Sequence, residues 1–588
     1  MRVFETDILI IGSGAAGILA AIEASRSCCV TLVTKGPCGR DGATITAQAD
    51  IAVDGRSCKK ILGLPEGDSY DSPNRFASDI FREGEELGNK KLIEIQTESI
   101  ASAVAALRDD GLHLRGLFKN PGHTYPRSVW ISAPELCFIL RNKLKATQTK
   151  VMEYTVVCDL LTSDGAVTGA LAFDRLSGTP LAVRARETIL CTGGAMRIYP
   201  YATAPLGLTG DGIAMAYRAG AELLDMEFPM FLPYALLSPK MLEGATFTHD
   251  LAMLTNAYAL NRAGERFISA WDPERMERTT RDINSAACGV EIAEGRGTPL
   301  GGIWLSLAHL PANIIEVMGN WFPEGLSRWR YGPFDLKNVL PDLSRDALET
   351  IPASHFWNGG VAIGIDGSAS IPGLYAAGEG TAGLHGANRI SGNGIGQAIV
   401  WGIRAGQSAA SRVAKKSNAR NAHPKVDLEQ LDFIISNLFA PLERKTGVSP
   451  VDLARDIRSA AWKGIGLVRD EVSMRDFEKE LSALRETAAN QAARTKERVW
   501  NEDLLISLQN INMLDVASCV VASALRRSES RGAHYRKDCP YTEDFWDRSI
   551  KVKRGNNGFP LLALPDERKN TAGTGARRPY GQKKRMSS

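Results

Sequence analysis

Asp7-Ile8-Leu9-Ile10-Ile11-Gly12-Ser13-Gly14-Ala15-Ala16-Gly17 opens the chain. Its first five residues form the short, β-branched apolar run that a buried parallel strand needs. The glycines then allow a tight turn, a close approach to a pyrophosphate and the packing of a helix, expected over Ala15 to Glu23, on the strand. Backbone amides at the start of that helix face phosphates. A second strand, Cys29 to Val33, ends about 20 residues on, where an acidic residue usually holds a ribose. Thr34 and Lys35 stand there instead. A hydroxyl suits a ribose and an ammonium suits a phosphate-bearing ligand, so a plain NAD reading is weakened. The competing reading, a glycine turn with no ligand, does not account for the full strand-turn-helix context.

A second glycine-rich stretch, Gly378-Glu379-Gly380-Thr381-Ala382-Gly383-Leu384-His385-Gly386-Ala387-Asn388-Arg389-Ile390-Ser391-Gly392-Asn393-Gly394, follows the strand-like Gly373 to Ala377. It comes about 360 residues after the first. One fingerprint is a weak signal. Two such pieces, each after an apolar run and at opposite ends of a long chain, describe a cofactor gripped at both ends and read together as an FAD site.

With 588 residues the chain has room for three or four domains of about 150 residues. Its 44% hydrophobic and 23% charged residues are those of an ordinary soluble globular protein. The N-terminus enters the first strand without the basic and apolar regions of a secretory signal. No apolar run approaches the ~18 residues of a membrane span, so no transmembrane segment is expected. The ten cysteines are scattered without a CxxC pair. That argues against disulfides, zinc or an Fe–S cluster carried by this chain and predicts a reducing cytoplasm, with no metal site. An Fe–S relay would belong to another subunit, and membrane association would be peripheral, through such a complex. No nucleic acid partner is expected.

Residues 1–230 alternate strands and helices, including a strand at Thr188 to Thr192 and a helix at Ile213 to Ala219. Residues 231–350 are irregular and rich in Trp, Pro and Gly, as in an inserted domain. Residues 351–415 return to the first domain. Residues 425–548 are helical in period, with helices expected over Leu428 to Leu442, Val451 to Ile465, Phe477 to Val499 and Asn501 to Arg527. Residues 549–588 carry ten basic residues against Asp566 and Glu567, a composition that predicts a disordered tail.

These residues carry a family resemblance. The chain resembles the flavoprotein subunits of succinate dehydrogenase and fumarate reductase and the related L-aspartate oxidases. The matching pieces, in the family's order up to about Trp546, begin with the fingerprint, Thr44-Ile45-Thr46-Ala47-Gln48 and Thr192-Gly193-Gly194. They continue through Asn261 to Phe267, Thr280-Arg281-Asp282, Glu294 to Gly297, His355 to Gly360 and Gly378 to Gly394, and end with Trp500 to Leu505 and Glu529 to Asp538. The resemblance implies an α/β fold: a Rossmann-like FAD-binding domain, an inserted α+β capping domain and a C-terminal helical domain. It implies that Gly12, Ser13, Gly14, Ala15, Ala16, Gly17, Thr34, Lys35, Thr44, Thr46, Ala47, Gln48, Val157, Thr192, Gly193, Asp211, Glu379, Arg389, Asn393, Gly394 and Ile395 hold FAD. The helix starting near Asn393 would turn its positive end to the flavin.

The resemblance further implies hydride transfer between FAD and a C–C or C=C bond beside a carboxylate. His355 and Arg389 would hold that carboxylate, and Arg281 would move the proton. An arginine is a poor acid, with a pKa above about 12. It needs a relay, for which Glu265 with Arg262 or Arg266 are the family-matched candidates. Each residue has a duller reading: His355 as a structural histidine, Arg281 with Asp282 as an ion pair, Arg389 as the partner of a core acid. Alternatives for the whole chain are a flavoprotein subunit feeding a separate Fe–S subunit, an L-aspartate oxidase-like enzyme, or a silent FAD-binding protein.

Three departures matter. Ala43 stands where membrane-bound members of the family carry a covalent histidine, so FAD is expected to be non-covalent. Leu232 and Tyr234 replace the histidine and threonine that hold a second substrate carboxylate, which predicts a substrate with one carboxylate unless His249 compensates. Trp357-Asn358 is expected to alter the pocket wall.

Overall fold

The computed structural model describes residues 2–47, 49–316, 339–416, 425, 427–564 and 576–581. Strand β1 (Arg2–Ile11) leads into helix α1 (Ala15–Ala24) and β2 (Val30–Val33). Ile8, Leu9 and Ile10 are fully buried, as a strand covered on both faces requires. After a long helical excursion come β3 (Lys150–Met152), β4 (Thr155–Ser163), β5 (Ala166–Asp174) and β6 (Thr179–Leu190). The sheet order is β3-β2-β1-β6-β5-β4. β1 pairs in parallel with both β2 and β6, placing the glycine turn at the sheet's centre.

Helix α2 (Asp211–Arg218) precedes the insertion. The insertion contains β7 (Pro229–Leu236), α3 (Phe247–Thr255), β8 (Tyr258–Leu260), α4 (Arg281–Ala293), β9 (Ile303–Ser306) and β10 (Leu348–Trp357). Its strands form one antiparallel sheet in the order β7-β10-β9-β8, against which α3 and α4 pack. Far from being irregular, the insertion has its own core of Tyr234, Leu236, Phe247, Ile268, Ile303 and Leu305. The sheet reaches past the expected limits at 231 and 350 on both sides. The chain then returns through β11 (Leu374–Ala376), which pairs in parallel with the end of β6, and α5 (Asn393–Lys416).

Helix α5 lies directly on α1. A Cβ added at Gly402 would sit 2.5 Å from the Ala16 carbonyl oxygen, and one at Gly406 would sit 2.5 Å from that of Ala20. The helical end comprises α6 (Leu428–Glu443), α7 (Pro450–Ile465), α8 (Glu471–Ala489) and α9 (Glu502–Arg526). Helix α8 starts and stops earlier than its periodicity predicts. A reciprocal cap between Asp470 and Ser473 starts it, and after Asn490 the chain turns so that Arg494 can pair with Asp503 at 2.7 Å. Helix α9 is long and apolar enough to cross a membrane, but 78% of its most apolar window is buried in the protein, as befits a core helix.

The expectation of a disordered tail fails for its described part. Lys551–Arg554 pairs with Leu223–Leu224 on one side and Pro560–Ala563 on the other. Arg577–Pro579 pairs with Tyr541–Glu543. Ile550 and Val552 are fully buried, and Lys553, Arg577 and Arg578 meet Glu222, Glu543 and Asp544. Basic composition masked an alternating strand whose charges have partners.

Because only backbone separates α1 from α5, Gly402→Ala is expected to cost about 1–3 kcal/mol by forcing them apart. Thermal or urea unfolding checks this, with flavin retention as a second readout. A variant as stable as the parent refutes the close crossing.

Candidate active site

The glycine turn is fixed by contact. Gly12 has φ +104°, and a Cβ there would sit 2.2 Å from the Cys191 carbonyl oxygen. A Cβ on Gly17 would sit 1.9 Å from the Gly12 carbonyl oxygen, so Gly17 lets α1 settle on the turn and does not line the cavity beside it. That corrects its expected role as a cofactor contact. Helix α1 has no side-chain cap of its own; Thr44 Oγ1 takes the Ala15 amide at 3.1 Å. Ser13 and Thr34 share a hydroxyl–hydroxyl bond of 2.8 Å. Lys35 Nζ bonds Asp211 Oδ2 at 2.6 Å, so its charge is spent on a neighbour rather than reserved for a ligand phosphate. Against the upward push of burial, Lys35 holds Asp211 below its ordinary range.

A single cavity of about 250 Å³ runs along these groups. Gly12 to Ala16, Thr34, Lys35, Thr44, Thr46, Ala47, Val157, Thr192, Gly193, Asp211, Glu379, Gly394 and Ile395 line it, and so do Arg281, His355 and Arg389. Ala43 lines it as well. Gln48 lies outside the described residues. Asn393 starts α5 fully buried, off the lining, and neither polar atom of its carboxamide has a protein partner among the described residues. Arg389 Nε is likewise unpartnered. Each such orphan costs about 1–3 kcal/mol, and a polar ligand beside them removes that cost. Together with a glycine cradle flanked by the starts of two helices, these orphans fit FAD.

Glu379 accepts the Trp357 amide at 3.0 Å, and burial pushes its carboxyl up to about 8. At neutral pH it is a neutral acid that can donate to a ribose hydroxyl. Arg389 lies 4.4 Å over the Phe356 ring. Burial, then the like charge of Arg281, pulls its guanidinium down to about 9, so a bound carboxylate would restore its charge balance. His355 Nδ1 meets Thr203 Oγ1 at 2.8 Å. Arg281 starts α4 and reaches His249 Nε2 at 3.4 Å through Nε, and Ser391 Oγ at 3.2 Å through Nη2. Burial and Arg281 hold His249 well below its ordinary pKa, hence neutral.

Several expected roles are corrected. Glu265 is exposed and takes a bond from Asn261 within a turn, at 2.8 Å. Arg262 is exposed too, and Arg266 pairs with buried Glu277. None of the three lines the cavity, because the Asn261–Glu265 turn closes on itself instead of reaching inward. Phe356, not Trp357, forms the pocket wall. His385 stands behind Phe356, bonded to Gln397 at 2.8 Å. Leu232 and Tyr234 are buried, and the Tyr234 hydroxyl is spent on Asn284 at 2.9 Å. Sequence reasoning missed Asp50, Thr203, Thr246 and Ser391, all of which line the cavity. Asp50 and Ser391 lie beside or within motifs already singled out; no sequence signal marks Thr203 or Thr246.

Comparison with known proteins agrees with this geometry. Residues 7–395 match the FAD binding domain family and residues 454–562 the fumarate reductase flavoprotein C-terminal family. The chain belongs to the succinate dehydrogenase/fumarate reductase flavoprotein family. It is an FAD-dependent oxidoreductase of that type. A relative from Methanothermobacter marburgensis, one of the subunits of its fumarate reductase (CoM/CoB), is 33% identical over 94% of this chain and 98% of its own. The L-aspartate oxidase of Yersinia pestis is 29% identical over 91% and 96%. Mycobacterium smegmatis Sdh1, solved in complex with UQ1, superposes with a TM-score of 0.84 at 28% identity, covering 96% of this chain and 95% of that one.

A raised Glu379 pKa favours folding while the group is protonated, and that advantage is lost as pH rises from about 4.5 towards about 8. The flavin-free protein is therefore expected to melt lower at pH 8 than at pH 5, and Glu379→Gln to flatten that slope. Melting curves across this range check it; an unchanged slope in the variant refutes it.

Proposed function

We propose that this chain moves hydride between FAD and one carbon of a C–C or C=C bond that neighbours a substrate carboxylate. The observation that supports this most is the presence of Arg281, His355 and Arg389 on the same cavity as the glycine cradle. FAD, when bound, supplies the two-electron hydride chemistry. Arg389 and His355 hold the carboxylate; a planar guanidinium can give it two parallel hydrogen bonds. Thr203 orients the His355 ring through Nδ1. Arg281 gives a proton to the neighbouring carbon, or takes one from it. His249, neutral and buried, helps to aim the guanidinium.

The side chains of Leu232 and Tyr234 offer no donor for a second carboxylate, which supports a substrate with one carboxylate and an apolar remainder. Two lost charge-assisted bonds at about 1.5–3 kcal/mol each amount to a roughly 10²- to 10⁴-fold handicap for a dicarboxylate. Anaerobic stopped-flow tests the reading: with the flavin chemically reduced, the oxidised band near about 450 nm should return faster with crotonate than with fumarate. Leu232→His with Tyr234→Thr should improve fumarate. If neither acid reoxidises the flavin, the reading fails.

The names of the relatives favour a second reading that can coexist with the first. The Methanothermobacter relative is one subunit of its enzyme, so this chain would pass electrons to or from a separate Fe–S or other electron-transfer subunit, through which any membrane association would be peripheral. Purification under mild conditions should then bring down an iron-containing partner. For the cofactor bond, Ala43 on the cavity supports non-covalent FAD. Acid precipitation is expected to release all the flavin, and a yellow pellet would refute that.

A further inference from the structure

An arginine that gives its proton to carbon must be reprotonated before the next turnover, and the candidates drawn from sequence, Glu265, Arg262 and Arg266, do not line the cavity. Another route is built. Arg281 Nη2 bonds Ser391 Oγ at 3.2 Å, and Ser391 Oγ bonds Asp50 Oδ2 at 3.3 Å. Asn120 Nδ2 steadies both partners, reaching Asp50 Oδ2 at 3.0 Å and Ser391 Oγ at 3.2 Å. The Ser391 backbone is held as well: its carbonyl oxygen takes the Nε2 proton of His123 at 3.0 Å. Burial and Arg127 push His123 down to about 4, so it is neutral and a fixed donor. Asp50, Ser391 and Arg281 all line the cavity.

His249 also touches Arg281, but it cannot serve as the route. It is buried, its Nε2 accepts from Arg281, and its Nδ1 has no protein partner among the described residues. A proton arriving there has no onward path. Asp50 differs: it is half-buried and its carboxylate belongs to a cavity wall, within reach of cavity water.

We propose that Asp50, acting through the Ser391 hydroxyl, is the proton-relay residue that resets Arg281. This rests on the hydride-transfer reading above. In the reductive direction Arg281 gives a proton to the carbon beside the carboxylate, the Asp50 carboxylate takes a proton from cavity water and passes it to Ser391 Oγ, and Ser391 gives its own hydroxyl proton to the guanidine, which leaves Asp50 a carboxylate again. One proton leaves and one enters, every group ends with its starting count, and no electron moves in the relay. In the oxidative direction each hop reverses.

The test uses the full-length holoenzyme with whichever of fumarate and crotonate turns over faster. Asp50→Asn keeps shape and an acceptor for Asn120 but cannot cycle a proton; kcat is expected to fall about 10²- to 10⁴-fold. KM, FAD content and the Kd of non-reacting malonate, read from the flavin spectrum, should stay within about three-fold, and the solvent isotope effect on kcat should rise. Ser391→Ala should match this loss, Ser391→Thr should restore most of the activity, and the double variant should be no worse than either single one, as expected of groups acting as a unit. Asp50→Asn turning over within about three-fold of the parent at normal FAD content overturns the relay; so does a rise in KM and malonate Kd in step with the loss, which marks a merely structural role. If Asp50→Asn fails to hold FAD, Ser391→Ala and Ser391→Thr decide by the same criteria. A parent enzyme silent on both acids defeats the functional reading itself, and the relay with it.

Discussion

The crossing of α1 and α5 with only backbone between them is the constraint on which the site depends. Gly402 and Gly406 meet the carbonyl oxygens of Ala16 and Ala20 at a distance no side chain would permit. Close packing of this kind has little slack: one added methyl must move a whole helix. Because the helices are locked along their length, their starts are locked too, and Ala15, Ala16, Gly394 and Ile395 share a cavity wall. Partial positive charge from two helix starts then faces one cavity, as suits an anionic cofactor.

Around that frame the charges are arranged asymmetrically. Arg127 is buried against Asp71 and Asp79, and Arg527 against Glu227 and Glu529, each pair closed. Arg389 instead has an Nε with no partner among the described residues, and it lies on the cavity wall. A buried guanidinium short of a partner at a cavity is prepared for an anion. The insertion supports this chemistry from the other side: α4 brings Arg281 to the cavity, and β10 brings His355.

Much of this was legible in the sequence, and the failures are instructive. The strand, turn and helix at Asp7 to Glu23 could be read because period, glycine placement and burial all agree over a short span. Arg281, His355 and Arg389 could be placed through motif resemblance, although nothing local says that they share a cavity. Glu265 could not be excluded from sequence, because a motif fixes neighbours along the chain and not the direction a turn faces. Asp50 and Ser391 were overlooked for the converse reason: they are separated by 341 positions, and only folding puts them together. The tail was misread because composition speaks to charge, whereas Lys551 and Val552 pair with Leu224 and Leu223, far back along the chain, and Val552 is buried there.

The distance along the chain between the two halves of the cradle has a consequence for biosynthesis. Helix α1 is made near the start, but the glycine face of α5 emerges only after residue 393, some tens of seconds later at about 5–20 residues per second. Through that interval the apolar surface of α1 has no cover from its eventual partner, and such long-range pairing is intrinsically slow. A nascent chain therefore cannot close the cradle. Flavin loading waits until at least 416 of the 588 residues have been made, and a product truncated before α5 lacks half of the cradle.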